Sequence, residues 1–210
     1  MTDAFRDVTA VLFDIDGVLV DSKDSNAAFF QALVKKAGYP EPSLEFVNKQ
    51  FHTPLSMSLR DLLGIDDEEV ERIMVMGRDA DVKQFHLLKF PDNLRGLLEA
   101  LGKRYRLGVV TSRMRGAIDE IFEILGVGDL FEVSVGFEDS TQPKPHPEPL
   151  FVALKHLGIS PAEAVYVGDG HSDIDAAHAA GMRSIFLSPL EHEYATLRID
   201  KFSDLEDVLL

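Results

Sequence analysis

Four short apolar runs rich in β-branched residues, at positions 8–13, 107–110, 164–167 and 184–187, constrain this chain most. A strand with one face in water alternates apolar and polar residues, whereas a strand covered on both faces is apolar throughout. The runs therefore read as strands of a parallel sheet buried on both sides. Helical patterns at 93–101, 116–125, 148–157 and 173–180 separate them. This alternation predicts a doubly wound α/β domain. At 131–135 the apolar Phe131, Val133 and Val135 alternate with polar residues, which predicts a further strand nearer an edge.

The rhythm breaks over residues 23–86. Apolar residues there recur at helical spacing, as in Phe29, Leu33 and Ala37, or Val70, Ile73 and Met74. The pattern predicts helices at 25–36, 44–50, 55–63 and 67–85, with breaks at Gly38-Tyr39-Pro40-Glu41-Pro42, His52-Thr53-Pro54 and Gly64. We read an all-helical domain, 23–86, inserted between the first two strands of a core domain formed by 1–22 and 87–210.

Composition narrows the function. Of 210 residues, 45% are hydrophobic, enough for a buried core, yet no apolar run approaches the roughly 18 residues of a membrane span. The polar, partly acidic N-terminus does not read as a secretory signal, so the cytoplasm is expected. With no cysteine, thiolate catalysis and cysteine-based zinc sites are excluded. A formal net charge of −15 and the lack of a Lys/Arg run argue against a nucleic-acid partner. A small anionic substrate stays compatible, because surface charge is screened over about 8 Å in physiological salt.

The strand ends carry the chemistry. Asp14 and Asp16 follow the first run directly, with Gly17 permitting a sharp turn. Side chains two apart on an extended segment point the same way, so both carboxylates can face one site. In open α/β sheets that site lies beyond the carboxyl ends of the strands. Gly168-Asp169-Gly170-His171-Ser172-Asp173 repeats the arrangement at another strand end. Two such acidic clusters suit a hard cation such as magnesium, held by carboxylates and substrate phosphate. Asp173 also reads as a helix N-terminal acid favoured by the dipole. Thr111 and Ser112 end a third strand, before a helix whose first amides can hold an anion; either hydroxyl can instead cap that helix. Lys144 lies in Pro143-Lys144-Pro145-His146-Pro147-Glu148-Pro149, where each proline keeps its predecessor extended.

The order Asp14-x-Asp16, Thr111, Lys144, Gly168-Asp169-x-x-x-Asp173 resembles the four motifs of the haloacid dehalogenase-like hydrolase superfamily. Its phosphoglycolate phosphatase and β-phosphoglucomutase branch is the nearest likeness. Lys144-Pro145-His146-Pro147 and Ala176-Ala177-His178-Ala179-Ala180-Gly181-Met182 follow that branch, and the helical insert stands where it carries a cap domain. The resemblance implies a Rossmann-like core and a cap closing over a phosphorylated metabolite. It implies Asp14 as nucleophile, forming an aspartyl-phosphate, and Asp16 as general acid and then base. Magnesium would be held by Asp14, the Asp16 main-chain carbonyl, Asp169 and Asp173, while Thr111, Ser112 and Lys144 would bind the transferred phosphoryl group.

Three alternatives accompany this reading. Dehalogenation at carbon needs neither a metal nor a second acid, and Asp16 disfavours it. A phosphosugar mutase would return the phosphoryl group to sugar rather than to water. A non-catalytic phosphometabolite sensor would keep the fold without turnover. Two departures stand out: His52 occupies a loop position where related caps carry glycine, which bears on phosphoglycolate as substrate, and Pro91-Asp92 replaces Pro-Gly. Arg113 and Arg115 can draw anions toward the site, and His171 lies beside Asp169. The sequence does not decide between monomer and homodimer.

Overall fold

A computed structural model describes residues 3–51 and 53–210. Along the chain come β1 (Ala10–Phe13), then helices α1 (Lys23–Lys36), α2 (Leu44–Lys49), α3 (Leu55–Leu63), α4 (Asp67–Met76) and α5 (Leu94–Gly102). There follow β2 (Arg106–Val110), α6 (Arg115–Leu125), β3 (Val133–Val135), α7 (Glu148–Leu157), β4 (Ala164–Gly168), α8 (His171–Ala179), β5 (Arg183–Leu187), β6 (Leu197–Ile199) and α9 (Leu205–Leu209). The strands form one parallel sheet in the order β3-β2-β1-β4-β5-β6. The protein is thus an α/β molecule with a Rossmann-like, doubly wound core.

The continuous apolar runs are explained by burial: every residue of β1 and of β4 is buried. Ala10 and Leu12 pack with Leu150, Ala153 and Leu154 of α7 and with Ala176 and Ala177 of α8. Phe13, alternating to the opposite face, meets the rings of Phe131 and Phe202 at centroid distances of 6.3 and 6.4 Å. The strand order changes direction at β1, so a crevice is expected outside the carboxyl ends of β1, β2 and β4.

The chain divides into two compact units, Met1–Val20 with Phe90–Leu210, and Asp21–Lys89. The second unit is all-helical, with a core of Phe30, Leu33, Val34, Val47, Leu59, Val70 and Ile73. Its ends are tied by reciprocal backbone hydrogen bonds between Asp21 and Lys89, at 2.8 and 3.1 Å.

One sequence expectation needs correction, and one strand was not expected. The helix expected over 67–85 stops at Met76, where the Gly77 amide donates to the Ile73 and Met74 carbonyls. Beyond it the chain turns, and Asp79 and Asp81 reach the Lys36 ammonium at 2.7 and 2.6 Å. Strand β6 adds to the strands expected from apolar runs: it is three residues long, and Arg198 interrupts its apolar pattern while bonding the Ser188 carbonyl.

Candidate active site

At the end of β1 the Asp14 amide donates to the Val167 carbonyl at 2.9 Å, and the Asp14 carboxylate accepts from the Ile15 amide at 2.8 Å. Only 8% of Asp14 is exposed. Gly17 turns the chain with φ 74°, and a Cβ there would lie 1.8 Å from the Asp169 carboxylate. Glycine is therefore required twice, for the left-handed backbone and for the space Asp169 occupies.

At the end of β4 the same spatial logic holds for Gly168, whose added Cβ would fall 2.3 Å from that of Asp173. Asp173 serves the helix N-terminal use read from the sequence and also meets Lys144. Its Oδ2 accepts from the Gly170 amide at 2.9 Å, holding the start of α8, and its Oδ1 accepts from Lys144 Nζ at 2.6 Å.

Lys144 reaches this point from the proline-rich loop. Glu148 braces that loop by accepting from the Thr141 and Gln142 amides, both at 3.0 Å, and His146 Nδ1 accepts from the Glu148 amide at 3.2 Å. The buried ammonium lies 3.4 Å from Asp14 as well. Thr111 is buried at the end of β2, its amide donating to Val135 at 3.0 Å and its Oγ1 accepting from the Arg113 amide at 3.3 Å. Ser112 is exposed, and it lines a small cavity with Thr111 and Lys144.

The electrostatics of this cluster invite a cation. Asp14, Asp169 and Asp173 each offer a carboxylate oxygen, all within 4.8 Å of one another. Burial pushes Asp14 up to about 7, against the pull of Lys144 and with help from Asp173 and Asp16. Burial, reinforced by Asp14, Asp173 and Asp16, pushes Asp169 to about 9. Burial also disfavours the Lys144 ammonium, but Asp14 and Asp173 outweigh it and hold its pKa above the ordinary lysine value. Hard oxygens, crowded and short of positive charge, with Gly17 leaving room for the Asp169 carboxylate, fit a hard divalent cation.

The carboxylate of Asp16 is turned to Arg113, which grips it through Nε at 2.7 Å and Nη2 at 2.6 Å. The sequence presents Arg113 only as a cation that draws anions; its pairing with Asp16, 97 residues away, leaves no local trace there. Arg115 is turned elsewhere, bonding the Ser134 carbonyl at 2.8 Å and pairing with Asp139. The expected capping of α6 by Thr111 or Ser112 is not met. The N-cap is Met114, and the Arg115 amide donates to Glu138 at 2.9 Å. Tyr166 joins the site with no signal in the sequence: its hydroxyl meets Lys144 at 2.9 Å. His171 is exposed, with ring neighbours Phe186 and His192 at 5.6 and 4.9 Å. His52 lies outside the described residues.

An acidic cluster and a buried lysine at the carboxyl ends of a doubly wound parallel sheet define a class of phosphoryl-handling hydrolase. Residues 11–187 match the family model described as haloacid dehalogenase-like hydrolase, so the chain belongs to that family and is an enzyme of its phosphatase branch. Among its relatives, pyrophosphatase PpaX of Bacillus velezensis is 31% identical, over 98% of this chain and 97% of that one. Phosphoglycolate phosphatase of Pseudomonas putida is 26% identical over 90% of this chain and 75% of that one. A crystal structure of a subfamily IA, variant 1 hydrolase from Geobacter sulfurreducens is 30% identical with a TM-score of 0.73, covering 97% of both chains. Among the described residues no helix is long and apolar enough to cross a membrane.

Proposed function

We propose that the protein is a magnesium-dependent phosphatase that hydrolyses a small phosphorylated metabolite through an aspartyl-phosphate on Asp14. The observation that carries this reading is the buried Asp14 carboxylate, 3.4 Å from the Lys144 ammonium and within the group of three acids. An Asp14 oxygen attacks phosphorus, and the bond from phosphorus to the leaving oxygen breaks. Asp16 gives that oxygen a proton and then takes one from the water that cleaves the Asp14–phosphorus bond. Arg113 holds the plane of the Asp16 carboxyl group. Lys144, with the Thr111 and Ser112 hydroxyls, offsets the charge of the transferring oxygens, which is the main demand of phosphoryl transfer.

Asp14, Asp169, Asp173 and the Asp16 main-chain carbonyl would hold magnesium. When bound, the ion supplies the positive charge that lets an anionic substrate approach carboxylates. We assign substrate selection to the helical unit, as a cap of 23–86, because the core groups read only the phosphoryl end. The names of the relatives, a pyrophosphatase and a phosphoglycolate phosphatase, favour a small substrate of that kind. The test is a phosphate-release screen over pyrophosphate, phosphoglycolate, sugar phosphates and nucleotides, with magnesium and with chelator. Release that needs magnesium and vanishes in Asp14→Asn is expected; undiminished turnover by Asp14→Asn overturns the nucleophile.

A further inference from the structure

We propose that Tyr166 is a positioning residue for Lys144, its phenolic oxygen setting where the ammonium stands between Asp14 and Asp173. The inference rests on the phosphatase reading above in treating Lys144 as the cation of the site.

Every other residue of β4 is aliphatic or glycine, and the middle of a sheet asks only for volume there. Phenylalanine would supply nearly all of it. Tyr166 instead brings a hydroxyl into a fully buried position, where an unpartnered hydroxyl is costly. Its partners are informative. The hydroxyl donates to the Val110 carbonyl at 2.7 Å and accepts from Lys144 Nζ at 2.9 Å. A hydroxyl has one proton, so the short bond to Val110 fixes its orientation and turns the lone pairs toward the ammonium. Asp173 Oδ1, at 3.4 Å, is the more distant neighbour.

The ammonium has three N–H groups and four oxygens around it. Asp173 stands at 2.6 Å, Tyr166 at 2.9 Å, and Asp14 and the Val110 carbonyl both at 3.4 Å. Asp173 is the closest carboxylate, and a salt bridge alone leaves the flexible lysine stem free to swing about it. Tyr166, held by the Val110 carbonyl of β2, gives the ammonium a second close acceptor from β4 and so fixes the direction in which it points. Val110 immediately precedes Thr111, so one hydroxyl links the two strand ends to the lysine that the phosphatase reading has them share. The tip of Lys144 thereby stays near Asp14, where a transferring phosphoryl group would bind.

The experiment is a double-mutant cycle on the full-length protein with magnesium, joining Tyr166→Phe to Lys144→Met. Turnover is followed with p-nitrophenyl phosphate and affinity by calorimetry with orthovanadate. Tyr166→Phe should lower kcat about tenfold to a hundredfold with KM changed less than about threefold, the scale of one hydrogen bond to a charged group. It should weaken vanadate binding at least about fivefold where Lys144 is present, and less than about twofold in the Lys144→Met background. Tyr166→Met, which also lacks a hydroxyl, should reproduce the kinetic loss in protein with a retained melting transition. Wild-type kcat in either hydroxyl-free variant overturns the inference, as does an equal loss of vanadate affinity in both backgrounds. If the wild-type enzyme releases no phosphate from any ester, the phosphatase reading fails, and the vanadate cycle alone decides whether Tyr166 acts through Lys144.

Discussion

Replacing Lys144 with methionine removes the cation that stands among three clustered carboxylates. Its contacts, 2.6 Å to Asp173 and 3.4 Å to Asp14, correspond to about 6 and about 5 kcal/mol at an effective dielectric near 20. The cost of burying the ammonium offsets much of this, and deleting one partner of a buried ion pair typically destabilises by about 3–5 kcal/mol. The pH dependence follows from the neighbours. Lys144 keeps its charge throughout the working range, because its folded pKa lies above the ordinary value of 10.5. Asp14, ordinarily 3.8 but about 7 when folded, is protonated at pH 5 and ionised at pH 8. Without Lys144 to lower it, Asp14 in the variant lies higher still, so at pH 8 the variant must hold that charge unpaired or bind a proton, whereas at pH 5 Asp14 is protonated in both proteins. Urea unfolding in chelator should give Lys144→Met a loss of about 3–5 kcal/mol at pH 8 and a clearly smaller one at pH 5. A loss below about 1 kcal/mol at pH 8, or equal losses at both values, would refute the charge arrangement described for this cluster.

Three further outcomes are expected. Because the folded pKa values of Asp14 and Asp169 are raised above 3.8, their contribution is favourable below that value and is lost as pH rises toward about 7 and about 9. The metal-free melting temperature should fall from pH 5 to pH 9, and magnesium should raise it more at pH 8 than at pH 6, since binding displaces protons; a flat metal-free profile contradicts this. Gly17→Ala, strained at φ 74° and thrust against Asp169, should weaken magnesium binding at least about tenfold by titration calorimetry, whereas unchanged affinity would remove Asp169 from the metal set. Arg113→Met should lower kcat about tenfold or more with the fold intact by circular dichroism, through loss of the bidentate hold on Asp16; wild-type kcat would show that the pair is dispensable.

The legible parts of this molecule share one property: their signal is local. Strands buried on both faces are apolar throughout, so β1, β2, β4 and β5 stand out in the sequence, each within a residue or two of its observed bounds. The acids at 14, 16 and 169 are conspicuous because carboxylates just after such runs have no packing reason to be there, and Asp173 draws notice as their companion at the start of α8. What the sequence hides depends on partners distant along the chain. Tyr166 looks like one more strand residue until Val110 and Lys144, 56 and 22 positions away, are brought to its hydroxyl. Arg113 looks like a helix-start cation until folding sets it on Asp16. The overlong helix at 67–85 fails differently, because apolar periodicity outlasts the point at which Gly77 and the pull of Lys36 on Asp79 and Asp81 turn the chain.

Chemical trapping of the phosphorylated residue tests the assignment of Asp14 most directly. Enzyme turning over pyrophosphate or phosphoglycolate with magnesium is quenched into borohydride, which reduces an aspartyl-phosphate to homoserine, and peptides are read by mass spectrometry. Conversion of Asp14, dependent on both substrate and magnesium, is the expected result. Reduction at another carboxylate, or none in enzyme that is releasing phosphate, would contradict it.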